Sequence, residues 1–378
     1  MSCEPRAKSQ RPRAKSQLPK TKVRASEQES SLLGLLLRTQ PKLKGAAFNS
    51  QRPIATIAAV LLTLTLCAQE HIRFVSYNVE NLFDCAHDTL KNDNAFMPEA
   101  TRRWTQRKYR NKLHAIARTI AAIGGDRAPD IVALCEVEND SVMHDLTQHS
   151  ALRTVGYRYL MTASDDPRGI DVALIYKPTT FRPFAHRALR LAPELIPEGR
   201  HTRDVLLVSG ELYTGDTLDI IACHLPSRLN GKQSALLRAR VVELITHAID
   251  SVSRERATPH IIVMGDFNDT PHAEALAPLT HEAGLTCITQ HLSGSYRYKG
   301  KWEQIDHVYL SPTLLTQPTA GTLSLAPQGA WNFAPDFLIE RDPIYGGWRP
   351  RRTYNGVRYM GGTSDHLPVC FELVSGEQ

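Results

Sequence analysis

What most constrains this chain is a set of apolar runs that each stop abruptly at a carboxylate, an amide or an imidazole. Ile131-Val132-Ala133-Leu134-Cys135 ends at Glu136, Ile220-Ile221-Ala222-Cys223 at His224, and Ile261-Ile262-Val263-Met264-Gly265 at Asp266 and Asn268. Such runs, apolar almost throughout, read as strands covered on both faces, which calls for sheets packed together with helices outside. Strand patterns at 72–79, 130–137, 157–162, 171–176, 204–213, 217–224, 260–265, 304–310 and 369–373 fit that scheme. Helical patterns lie between several of these strands, and two are clearest. One spans 105–123, with Tyr109, Leu113, Ile116, Ile120 and Ile123 at helical spacing ahead of Gly124-Gly125; the other spans 233–252, with Leu236, Leu237, Val241, Leu244, Ile245, Ala248 and Ile249 likewise spaced.

Residues 69–378 are within reach of one large two-sheet domain. That part is mildly acidic: of the formal charge of +6, residues 1–52 contribute 12 Lys and Arg against 3 Asp and Glu, leaving 33 against 36 beyond them. Bulk charge therefore excludes a polycation that coats nucleic acid, while a local basic groove stays open. The cysteines, at 3, 67, 85, 135, 223, 287 and 370, form no Cys-x-x-Cys pair, which argues against a zinc site or a disulfide scaffold. Residues 1–50, rich in Arg, Lys, Ser, Gln and Pro, read as a disordered basic segment. Gln51-Arg52-Pro53, the apolar stretch 54–66 and Cys67-Ala68-Gln69-Glu70 have the charged, apolar and small-residue order of an export signal over 51–68, cleaved near Ala68. That stretch is too short to span a bilayer comfortably. The expectation is an exported protein, periplasmic or extracellular, with lipid anchoring through Cys67 as the alternative.

Further polar residues stand where strands end. Asn78 and Glu80 close the first strand, Asp306 and His307 lie inside a later one, and Asp365-His366 immediately precede the last. In sheet proteins with outer helices, strand ends are where loops converge and ligands bind. Carboxylate and amide oxygens without a thiolate cluster suit a hard cation, Mg²⁺ or Mn²⁺. Taken singly, each motif has a bland use: Gly265-Asp266-Phe267-Asn268 as a strand exit into an Asx turn, Ser364-Asp365-His366 as a turn before an edge strand, Glu136 as a helix cap, His224 as a structural histidine. Their conjunction is what points to chemistry.

In chain order, Ser76-Tyr77-Asn78-Val79-Glu80-Asn81, Pro129-Asp130-Ile131-Val132-Ala133-Leu134-Cys135-Glu136, Gly169-Ile170-Asp171-Val172-Ala173, His224-Leu225-Pro226-Ser227, Gly265-Asp266-Phe267-Asn268, Gln304-Ile305-Asp306-His307-Val308 and Ser364-Asp365-His366 resemble the motifs of the endonuclease/exonuclease/phosphatase superfamily. That superfamily includes DNase I-like nucleases, abasic-site endonucleases, neutral sphingomyelinases and inositol-polyphosphate 5-phosphatases. The resemblance implies a four-layer sandwich of two mixed β-sheets flanked by helices, and Mg²⁺-dependent cleavage of a phosphoester. It implies that Glu136 is the principal metal carboxylate, with Asn78 and Glu80 beside it and Asp365 helping to place the metal. By the same resemblance Asp266 and Asn268 handle the attacking water and the phosphate, His366 sits at the phosphate oriented by Asp306, and His224 is the second histidine of the DNase I-like branch. Arg203 takes that branch's phosphate-binding arginine position, and Arg168 is a further substrate contact. A phosphodiester is anionic and resists attack, so such a site must neutralise charge, orient a water, accept its proton and support the leaving oxygen. Asp266 and the Asp306–His366 pair are both candidates for the proton acceptor.

Met264 ahead of Gly265 and the segment Glu303-Gln304-Ile305 depart from the 5-phosphatase pattern, and His224 departs from the abasic-site enzymes. The connection between Leu310 and Asp365 is long and interleaves Trp331, Phe333, Trp348, Tyr354 and Tyr359 with Arg341, Arg349, Arg351 and Arg352. Such a mixture suits stacking on bases and pairing with phosphates, with Trp348, Arg351 and Arg352 as substrate contacts. Two other uses are packing of the loop on the body and insertion of Trp331-Asn332-Phe333 into a membrane surface. A second basic cluster, from Arg102 and Arg103 through Lys108 and Lys112 to Arg118, reads as a solvated helix face, with a place near the cleft that steers an anionic substrate as the alternative. The expected function is a secreted Mg²⁺-dependent nuclease acting on DNA or RNA. A sphingomyelinase-like phospholipid phosphodiesterase, another phosphoesterase, and an inactive binding protein are the alternatives; no protein partner is implied.

Overall fold

Side-chain alternation in the first strand sets the layering of the computed structural model, which describes residues 71–229, 231–317 and 321–376. The expected basic segment over 1–50 and export signal over 51–68 lie outside the described residues. Strand β1 (His71–Leu82) turns Ile72 and Phe74 to one side and Val75, Tyr77 and Val79 to the other, all of them buried. A strand buried on both faces needs a layer against each.

In its own sheet β1 lies between β2 (Ile131–Val137), parallel to it, and β19 (Val369–Ser375), antiparallel. Beyond β2 come β4 (Asp171–Tyr176) and β3 (Arg158–Met161); on the other side β13 (Leu323–Leu325) and the short β14 (Trp331–Asn332) both pair with β19. The second sheet runs in the order β5 (Phe181–Leu189), β6 (Val205–Leu212), β7 (Thr217–His224), β8 (Ile261–Asp266), β12 (Asp306–Leu310) and β9 (Thr286–Cys287). Only β7 and β8 are parallel there.

Phe74, Ala133 and Leu174 of the first sheet meet Ile220, Met264 and Val308 of the second in one buried core. Helices α1 (Gln106–Gly124) and α2 (Asp140–Gln148) share a second core with the outer face of the first sheet. Helices α3 (Lys232–Glu255) and α4 (Ala277–His281) cover the outer face of the second. Helices, sheet, sheet and helices make the expected four-layer sandwich.

Several elements differ from the sequence reading. The sequence pattern does not predict β5: Arg182, His186 and Arg187 are exposed, and the ladder shifts register just after Pro183. Both features are tolerated because β5 is the edge strand. The long connection after β12 is not one loop. It folds into β13, β14, the ribbon β15 (Ile339–Arg341) with β16 (Trp348–Pro350), and the ribbon β17 (Tyr354–Asn355) with β18 (Arg358–Tyr359). A further ribbon, β10 (Tyr296–Tyr298) with β11 (Lys301–Glu303), precedes β12.

Candidate active site

Strand parity gathers the polar residues. Ile220 and Ala222 of β7, Met264 of β8 and Val308 of β12 belong to the core between the sheets. Two residues along each strand, His224, Asp266 and Asp306 occupy the same face. Asp266 pairs in register with His224 on one side and with Asp306 on the other. In β1, Asn78 continues the inward row of Ile72 and Phe74, and its side-chain amide donates to Asp266 at 2.9 Å.

Glu136 breaks this rule. By parity it would follow Val132 and Leu134 toward the outer helices. A left-handed backbone at Glu136 (φ 65°), where the β2–β4 ladder shifts register, turns the carboxylate back. Its Oε1 accepts from Asn78 Nδ2 at 3.3 Å and its Oε2 from the Asn81 amide at 2.8 Å. Glu80, Asn81 and Asn268 are also left-handed, so four of the six non-glycine positive-φ residues among those described lie here. Strain of this kind persists only where surrounding structure enforces it, and it concentrates at functional sites.

The segment 364–366 completes the cluster. Ser364 donates to the Asn78 carbonyl at 2.6 Å and accepts the His366 amide at 3.0 Å, fixing the histidine against β1. His366 Nδ1 then donates to Asp306 Oδ2 at 2.7 Å, an oxygen that also accepts from Ser295 at 2.5 Å. His366 Nε2 lies 3.9 Å from Asp266 Oδ2 and 4.0 Å from Asp365 Oδ1. Burial opposes a charge on His366, but Asp306, Asp266 and Asp365 outweigh it and hold the imidazolium well above its ordinary range. His224 goes the other way: burial, with Arg203 and Arg168 nearby, keeps it neutral, its Nε2 3.5 Å from Asp266 and 3.9 Å from Glu136. Burial and Asp306 push Asp266 up to about 7, against the pull of His366 and Asn78. Glu80 also rises to about 7, through burial and Asp365.

These groups open on a cleft of about 680 Å³ lined by Glu80, Glu136, His224, Asp266, Asn268, Asp365 and His366. The sequence-assigned arginines divide. Arg203 is buried and spent on Asp166 at 3.1 Å and the Leu225 carbonyl at 2.9 Å, so it backs His224 and does not line the cleft. Arg168 does line it, donating to Asn81 at 3.2 Å. Arg352 lines the cleft too, held by Asp365 at 2.6 Å and Glu80 at 3.7 Å.

Arg351 is exposed and Trp348 lies beneath Arg341, 4.2 Å from guanidinium to ring centroid; both are outside the cleft lining. Trp331 and Phe333 are partly buried and pack on the core beside α1. Glu80 accepts the Thr353 amide at 2.6 Å, a clasp on the strap that carries Arg352. Lys112 does not belong to a solvated face: it is buried, burial lowers it to about 8, and it donates to the carbonyls of Glu80 and Thr363 and to the Thr353 hydroxyl. Arg102 of the second basic cluster and Tyr354 of the aromatic–arginine connection also line the cleft, together with Phe96 and Tyr296, which no local motif marks.

The family model described as endonuclease/exonuclease/phosphatase matches residues 73–375. The chain belongs to that family. Its members are divalent-metal-dependent phosphoric ester hydrolases, which sets the reaction class of this enzyme. No curated protein sequence matches the chain. Among solved structures, the catalytic domain of human Nocturnin with a bound sulfate anion is 17% identical, with a TM-score of 0.53, covering 81% of this chain and 97% of that one. A family protein from Bacteroides thetaiotaomicron is 16% identical (TM-score 0.53; 81% and 98% covered), and one from Bacteroides vulgatus 16% (0.52; 81% and 99%). At such identities the likeness is one of fold.

For an enzyme of this family the donor set suits a divalent cation. Asp266, Asp306 and His366 bring ligand atoms within 4.8 Å of one another, and Glu136 adds a carboxylate beside Asp266; Asn78, expected as a ligand, instead turns its Nδ2 to both carboxylates and its Oδ1 accepts the Glu80 amide at 2.9 Å. The raised Asp266 and Glu80 record carboxylates crowded together in a buried place, which a cation relieves.

Proposed function

We propose that this enzyme is an exported, Mg²⁺-dependent phosphodiesterase that hydrolyses DNA or RNA. The observation that carries the reading is the Asp306–His366 pair at 2.7 Å, facing Asp266 in a cleft that also presents Arg168. Glu136 would hold the cation beside Asp266; Mn²⁺ is an alternative. When bound, it neutralises phosphoryl oxygens and acidifies water. Asp266 takes the proton of the attacking water as its oxygen bonds to phosphorus. The bond to the leaving oxygen breaks, that oxygen takes a proton from solvent, and Asp266 returns its own to solvent. His366 Nε2–H donates to the phosphoryl oxygen that gains charge, neutral His224 supports the same group, and Arg168 fixes the phosphate. Export rests on residues 51–68 and is checked by N-terminal sequencing of the secreted protein, which should begin near Gln69.

The test is release of acid-soluble nucleotides from plasmid DNA and from RNA, with Mg²⁺ or with EDTA, beside His366→Ala. Loss of release under EDTA and in the variant supports a nuclease; no release from either polymer refutes it. One observation favours a second reading, a phospholipid phosphodiesterase: Leu229 and Tyr298 line the cleft yet are 75% and 51% exposed, and Val357, next to the cleft-lining Gly356, is 61% exposed. Choline phosphate release from sphingomyelin vesicles tests that reading.

A further inference from the structure

We infer that Arg102, with Phe96 and Tyr354, forms a second anion subsite in the cleft that takes a phosphate flanking the scissile one. The inference rests on the polynucleotide reading above and adds to it a place for the next backbone phosphate.

The ion pairs of the cleft isolate Arg102. Arg352 is bound by Glu80 and Asp365, and Arg228 by Glu303. Arg203 and Lys112 are buried with partners of their own. Among the described residues, only Arg102 and Arg168 line the cleft as arginines with no carboxylate partner. Arg168 reaches Asn81, whose amide holds Glu136, and so belongs to the reaction centre. Arg102 stands on a different element, before α1, and its guanidinium makes no hydrogen bond within the described residues.

The side chain is nonetheless fixed. Its guanidinium carbon lies 4.9 Å from the Phe96 ring centroid and 5.3 Å from that of Tyr354. The Arg102 carbonyl accepts from the Tyr354 hydroxyl at 3.0 Å and from Lys108 Nζ at 2.9 Å. Lys108 also captures the carbonyl of Arg103, which is left-handed at φ 47°. A cation stacked on two rings, on a backbone held in a strained turn, with its N–H fork unspent, is pre-organised for a planar two-point acceptor. Pre-organisation lowers the entropy cost of binding. A solvated surface arginine needs none of these restraints. Lys108 Nζ, 4.8 Å from the Tyr359 ring centroid, extends the positive potential beyond Arg102. The cleft, at about 680 Å³, is larger than one phosphate requires.

The test compares two thymidine dinucleotides, TpT and pTpTp, which share one internal diester and differ in terminal phosphates. Scission of the internal diester is followed with the full chain and Mg²⁺. The wild type should favour pTpTp in kcat/KM by about tenfold or more, carried by KM. Arg102→Ala should bring that ratio toward one, and Arg102→Lys, which keeps the charge and loses the fork, should retain part of it. Thermal melts of both variants check folding. A wild-type ratio near one, or an Arg102→Ala loss equal on both substrates, overturns the subsite while the nuclease reading stands. Cleavage of neither dinucleotide, with bis(p-nitrophenyl) phosphate still hydrolysed, overturns the polynucleotide reading and the subsite with it.

Discussion

Asp306→Asn tests the reasoning at the point where charge, geometry and mechanism meet. The substitution keeps volume and shape but removes the anion that His366 Nδ1 meets at 2.7 Å. Burial then acts on His366 with only Asp266 and Asp365 left in opposition, so its pKa falls and the neutral imidazole gains ground. If the new amide presents its oxygen to Nδ1–H, Nε2 is bare and cannot donate; if it presents its nitrogen, Nε2 keeps a proton but the charge is gone. The phosphoryl oxygen loses a charged donor either way. Removal of one pre-organised donor to a developing oxyanion costs about 10²–10³ in kcat, and a charged donor belongs at the upper end. The pH profile makes the effect diagnostic. The competent form is the imidazolium, whose folded pKa is raised, so wild-type activity is lost only as pH rises well past the ordinary histidine range. In the variant the same loss should set in at lower pH. Ser295 can still donate to position 306, and Asp306 Oδ1 has no partner among the described residues, so the fold should tolerate the change, as a thermal melt will show. A variant within threefold of wild-type kcat at pH 7, or one whose alkaline limb does not move, refutes the role given to the pair.

Other perturbations bear on the metal and on the scaffold. Asp266 and Glu80 each have a folded pKa of about 7, above their unfolded values near 4, so the metal-free native state holds more protons than the unfolded chain between those limits. Their contribution to stability without metal should therefore fall as pH rises from about 4 to 7, by on the order of a few kcal/mol; Mg²⁺ should remove that part of the pH dependence and leave the part from Glu138 and His307, which lie outside the cleft lining, so equal slopes with EDTA and Mg²⁺ in denaturant titrations count against a cation here. Gly265→Ala puts a Cβ 1.8 Å from the Cys223 carbonyl oxygen, at a φ of 151°, inside the β7–β8 pair that carries His224 and Asp266. It should cost at least about 4 kcal/mol in urea unfolding, and a loss under about 1 kcal/mol contradicts the packing described. Lys112→Met strands the carbonyls of Glu80 and Thr363 beneath the strap and should cost about 3–5 kcal/mol, read as a lowered denaturation midpoint.

Physical contrast along the chain explains what could be read from it. Strands covered on both faces have no polar alternation, so β2, β7 and β8 stand out as apolar blocks. Their ends are visible because the next residue, Glu136, His224 or the Asp266–Asn268 pair, is of the opposite character. Helix α1 was expected over 105–123 and forms over Gln106–Gly124, because its period and its glycine stop are both local signals. Edge strand β5 has neither contrast nor period, since its neighbour on one side is solvent. Arg203 shows the limit of matching by position: a one-residue match cannot distinguish an arginine that faces the cleft from one buried against Asp166, because that outcome is decided by the loop around Asp166.

The same limit applies with more force to the cleft's binding wall. Glu80 and Arg352, or Arg102 and Tyr354, meet only because α1 and the β17–β18 ribbon are both tied to the rim of β1, through Lys112 on one side and Glu80 on the other. The Arg102–Tyr354 contact spans 252 residues, and neither residue belongs to a strand-end motif. Groups that do the chemistry sit at fixed offsets from strand ends, where parity or, for Glu136, a left-handed residue aims them, and so they leave a trace in sequence. Groups that choose the substrate sit on connections whose course depends on packing, so in this fold specificity has to be sought in the structure even where the reaction class is already plain.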